Sequence, residues 1–115
     1  MKFKSRVSPK QLSAPAWYAL YQADELHKKV TGEEATCTST GEGRHSVERS
    51  MHYTGEYGNG FGRAFDLRIW AFDNPNNGSA AQFRTKLKKK LGKDYVVILE
   101  STHIHVHWGP TYNES

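Results

Sequence analysis

The chain has 115 residues, 37% hydrophobic and 24% charged, with a formal net charge of +4 that leaves six histidines uncounted. That is the length and composition of one globular domain with a modest core. It excludes a membrane-spanning helix, since no stretch nears the roughly 18 consecutive apolar residues a span needs. The single cysteine, Cys37, excludes an internal disulfide framework and reads as a small buried apolar residue.

Residues 1–12 are polar and without periodicity, and read as an arm. Their early positive charge has no apolar run behind it, so no secretory signal is expected. From Ser13 the pattern turns helical. Ser13 can cap, Pro15 suits a first turn, and Ala16, Trp17, Leu20, Tyr21, Ala23, Leu26 and Val30 recur at helical spacing until Gly32 stops the helix. Trp17 and Tyr21 are expected in the core. Residues 34–40, threonine-rich around Cys37, predict a strand. Residues 41–62 contain six glycines and are too long for an ordinary connection, which marks a functional or disordered loop.

Residues 64–72 alternate Phe65, Leu67 and Ile69 against Asp66, Arg68 and Trp70, a strand pattern. Turn residues follow. Ser79 then opens a second helix with Ala80, Phe83, Leu87 and Leu91 on one face, ended by Gly92. Residues 95–99, YVVIL, predict a strand buried on both faces. After a break at residues 100–102, residues 103–108 alternate again, and 110–115 are a polar tail. The closing strand pair is expected to be antiparallel. The whole chain, 1–115, is then one small α+β domain, a mainly antiparallel sheet with helices packed on one face.

The basic balance suits an anionic partner such as nucleic acid, a membrane surface or a wall polymer. Its densest run, residues 86–90, falls on the second helix, where lysines make a solvated face. The aromatics lie at predicted core positions and are not interleaved with it, so specific nucleic-acid binding is not expected.

Three features carry chemistry. His103, His105 and His107 occupy alternate positions of one predicted strand and so share a face. Such a face admits a metal or simply a polar sheet edge, and one strand cannot easily aim all three rings at one ion. His45 and His52 lie in the glycine-rich loop, a weak signal alone. Asp66 opens an otherwise apolar strand, where aspartate is disfavoured. It needs a partner, either Arg63 or Arg68 or a metal. Two histidines with one carboxylate would leave a zinc ion an open fourth position, the mark of a catalytic site. Glu100, between the last two strands, is the candidate base for a water activated there.

Three segments then resemble a known family: GRHSVERSMHYTG at 43–55, GRAFDL at 62–67 and ESTHIHV at 100–106. They are similar to the zinc peptidases of the D-alanyl-D-alanine carboxypeptidase and hedgehog signalling-domain superfamily, both to the hedgehog-type version of the motifs and to small phage and bacterial M15-like members. The resemblance covers about residues 34–109. It implies a hedgehog or DD-peptidase-like fold and one zinc ion held by His52, Asp66 and His105. It implies Glu100 and His103 at the reacting centre, His45 lining the cleft, and Arg44 or Arg49 binding substrate.

The gap between His52 and Asp66 exceeds the family's usual spacing, and the surplus falls at residues 56–61. His107 stands where many relatives carry an acidic residue. The implied activity is cleavage of a peptide bond in the peptidoglycan stem, of carboxypeptidase or endopeptidase type. The protein would be a monomer made in the cytoplasm that acts on the bacterial wall, as a phage endolysin does after release. The alternative is a non-catalytic zinc-containing binding module of the same fold.

Overall fold

The computed structural model describes residues 1–10, 12–40 and 62–109. Within them, a two-residue strand β1 (Lys2–Phe3) precedes helix α1 (Ala14–Thr31) and strand β2 (Thr36–Ser39). Strand β3 (Ala64–Arg68) follows, then two 3-10 turns at Trp70–Asp73 and Pro75–Asn77. Helix α2 (Ala80–Leu91) and strands β4 (Tyr95–Leu99) and β5 (His103–Trp108) complete the order. The five strands form one sheet in the order β1-β2-β3-β5-β4, antiparallel except for β1 beside β2. The expected α+β architecture holds, and the last two strands pair antiparallel as expected.

The helices form for local reasons. Pro15 sits in the first turn of α1, and Gly32 ends it in the left-handed region at φ 79°, its N–H bonded to the Lys28 carbonyl. α2 opens with a capping box: the Ser79 hydroxyl accepts from the Gln82 N–H, and the Gln82 side chain accepts from the Ser79 N–H. Both helices meet one sheet face. Ala16, Leu20, Ala23, Phe83 and Leu87 join Phe65, Leu67, Val97, Ile104 and Val106 in a single core. Cys37 is buried there as a free thiol.

Four expectations are corrected or extended. Trp17 and Tyr21 are not core residues: they are 45% and 59% exposed. Helical spacing defines two adjacent faces, and the one that packs is lined by Ala16, Ala19 and Ala23. Their small side chains let α1 lie close to the sheet, which turns the aromatics outward. The strand expected over residues 64–72 ends at Arg68. Ile69 and Phe72 both pack against the core, and their spacing of three fits a 3-10 turn closed by the Phe72 N–H to Ile69 carbonyl bond at 3.0 Å.

The apolar strand β4 is not buried on both faces. It lies at the sheet edge, with Tyr95 and Val97 inward and Ile98 and Leu99 exposed. The amino-terminal segment is more than an arm. Lys2 and Phe3 pair with Thr36 and Cys37, and Leu12 is buried and bridges to Gly62. Backbone pairing needs no apolar periodicity, so nothing in the composition announces it. The tail at 110–115 lies outside the described residues.

Candidate metal centre

Side chains alternate across a strand, so sending Phe65 and Leu67 into the core turns Asp66 to the opposite face of the sheet. Burying Ile104 and Val106 does the same for His103, His105 and His107. Register then brings the two sets together. Asp66 lies directly across from His105, Arg68 from His103 and Ala64 from His107. Ile98 flanks His105 from the other side.

The contacts form a continuous line. His105 Nδ1 is 3.1 Å from Asp66 Oδ1, with both side chains largely buried. His103 Nε2 is 3.6 Å from Asp66 Oδ2 and 3.8 Å from Glu100 Oε1, so it stands between two carboxylates. The other nitrogen of His103 meets the Thr102 hydroxyl at 3.0 Å. His105 Nε2 lies 2.8 Å from Nδ1 of the buried His107. Asp66 is thus met by two histidines. Arg63 lies over the Trp108 ring, and Arg68 over that of Trp70.

The donor geometry suits a metal at one place. Two ligands of tetrahedral zinc, each about 2.0–2.2 Å from the ion, are roughly 3.3–3.5 Å apart. Asp66 Oδ1 and His105 Nδ1 are close to that separation, and an imidazole with a carboxylate is a donor pair zinc accepts. Among the described residues no group of three histidine, cysteine, aspartate or glutamate side chains is gathered to hold an ion. The proposed third ligand, His52, lies outside the described residues, as do His45, Arg44, Arg49 and residues 56–61.

Three features went unnoticed in the sequence. One is the Thr102 hydroxyl on His103, which chain proximity alone could have flagged. Another is the pairing of His107 with His105, and the third is the Arg68–Trp70 stack. The last two depend on rotamers that spacing does not determine. Comparison of the chain with protein-family models, curated proteins and solved structures found no match. Among the described residues, no helix is long and apolar enough to cross a membrane.

Proposed function

We propose that the chain is a zinc-dependent peptidase of the D-alanyl-D-alanine carboxypeptidase and hedgehog type, acting on the peptidoglycan stem peptide. The observation that carries this reading is the cross-strand pair Asp66–His105, with Glu100 and His103 beside it on the sheet face away from the helices. Asp66 Oδ1 and His105 Nδ1 are the two described ligand atoms, and His52 is assigned as the third on the sequence resemblance. Zinc bound there would supply a Lewis acid and bring a water's pKa toward roughly 7.

The chain's own groups do the rest. His105 needs a free lone pair on Nδ1 to act as a ligand, so its proton moves to Nε2, where His107 Nδ1 accepts it at 2.8 Å. That contact holds the tautomer and the ring, the usual task of a residue behind a ligand histidine. It also gives His107 a role other than ligand. Glu100 is exposed enough to reach solvent and substrate, and takes the proton from the attacking water. His103, between Asp66 and Glu100, steadies the charge that develops on the carbonyl oxygen.

The test is turnover by purified protein with added zinc. Stem-peptide fragments should be released from peptidoglycan, and Glu100→Ala should reduce release by at least about 100-fold with one zinc still bound. Wild-type protein that holds one zinc but cuts neither wall nor model D-peptides would be a binding module instead.

A further inference from the structure

The helix side of the sheet, away from the proposed centre, carries cations of two kinds. Some have a structural task. Arg84 Nε donates to the Val97 carbonyl at 2.8 Å and Lys88 Nζ to the Tyr95 carbonyl, so both seal the edge strand β4. Lys28 pairs with Asp24 and Glu25. The others have no such task. Lys29, Lys86, Lys89 and Lys90 are exposed and, among the described residues, have no hydrogen-bond or ion-pair partner.

These lysines are placed together. Lys29 of α1 and Lys86 of α2 line one groove between the two helices, about 460 Å³ in volume. Lys89 and Lys90 lie three and four residues beyond Lys86, on the same face of α2. The half-buried Leu26 and Val30 line the groove too, and the exposed Asn76 adds an amide donor. Among the described residues that line it there is no carboxylate and no aromatic ring. Residues 74–93 contain no Asp or Glu. Lysines at three- and four-residue spacing repel one another, and no carboxylate on α2 offsets that. The helix dipole favours Lys89 and Lys90 in the last turn, but not Lys86, which precedes it. A local rule broken without a gain for folding marks a surface kept for a partner.

We infer that this groove binds a linear phosphate polymer without bases, such as a glycerol phosphate chain. Cations on both walls suit a polyanion thin enough to lie between them. A duplex or a bilayer is too broad to enter and would touch only the rim. Single-stranded nucleic acid is held by aromatic rings that stack its bases, and the described lining has none. A helix that lies in a membrane surface needs an apolar outer face, whereas Phe83, Leu87 and Leu91 of α2 point into the core. Ammonium groups bind phosphate as point charges without a fixed geometry, which suits a flexible chain. The proposed centre lies on the opposite sheet face, so a polymer in the groove leaves it accessible. The inference is independent of the peptidase reading.

The experiment measures binding of the whole protein to four probes at equal phosphate concentration: poly(glycerol phosphate), a short DNA duplex, oligo(dT) and phosphatidylglycerol vesicles. Wild type should bind poly(glycerol phosphate) most tightly, and binding should weaken as salt rises. The triple variant Lys29→Gln, Lys86→Gln, Lys90→Gln should lose about tenfold or more in affinity for it. The slope of log affinity against log salt should become shallower by about two. The control Lys4→Gln, Arg6→Gln, Lys10→Gln removes the same charge from exposed positions elsewhere. It should lose less than about threefold, because charges beyond a Debye length are screened. A loss in the control as large as in the groove variant overturns the proposal, since net charge and not the groove then attracts the polymer. Tighter binding of the duplex, oligo(dT) or vesicles than of poly(glycerol phosphate) overturns it too. So does an unchanged affinity in the groove variant, or a wild type that does not bind the polymer.

Discussion

Asp24 shows how a charge is accommodated in the interior of so small a protein. Its carboxylate accepts the Ala35 N–H at 2.9 Å and meets the amino-terminal ammonium at 3.1 Å and Lys28 Nζ at 3.3 Å. Burial by itself would raise its pKa. The Ala35 N–H and the two cations outweigh burial, and the carboxyl is held below its ordinary 3.8. The sign follows: the folded state favours the ionised form. The stabilisation is complete above the ordinary value and is lost as pH falls through it toward the lower folded value. Asp24→Asn should cost about 1–3 kcal/mol at neutral pH and flatten the loss of stability below about pH 4. Urea midpoints at pH 7 and pH 3 for both proteins check it. Asp66 is the harder residue to read from sequence. Its dislike of a strand was legible, and so was its need for a partner. Which partner it takes depends on the register between β3 and β5, which no single residue encodes.

At the scale of elements, α2 is determined mostly by local chemistry. Its capping box satisfies two backbone donors at once, and Gly92 ends it. Ser79→Ala should therefore destabilise the protein by about 1 kcal/mol, read as a lower denaturant midpoint at unchanged slope. α2 was legible for this reason, because cap, period and face all agree within a few residues, and β5 was legible from its alternation. α1 was legible as a helix but not in its orientation. Ala16, Ala19 and Ala23 are weak hydrophobic signals beside Trp17 and Tyr21, yet close approach to the sheet selects the small side chains. β4 misled for a related reason. An apolar run states that a strand is hydrophobic, while its place in the sheet is set by pairing with distant segments, and here β4 lies at the edge.

Across the whole molecule, one sheet separates two tasks. Its helix-facing side holds the core and its other side holds the proposed centre, so neighbours on β5 serve different ends. Ile104 is fully buried, and Ile104→Ala should cost about 2–5 kcal/mol. That is a large share of the about 5–15 kcal/mol by which such domains are stable. It should leave the response to zinc intact, because Asp66 and His105 still face each other on the opposite side. A ligand at 100 times its Kd adds ~2.7 kcal/mol to the folded state, which for a domain of this size is a rise of roughly 10 °C in melting temperature. Wild type and Ile104→Ala should both show that rise on zinc addition and lose it with a chelator, the variant starting from a lower melting temperature. His105→Ala should reverse the pattern. Its metal-free melting should stay closer to wild type than that of Ile104→Ala, since His105 contributes nothing to the apolar core, and its rise with zinc should vanish. Thermal melts of the three proteins with zinc and with chelator separate the two sides of the sheet. A full zinc response in His105→Ala would overturn the proposal that the Asp66–His105 pair holds a metal.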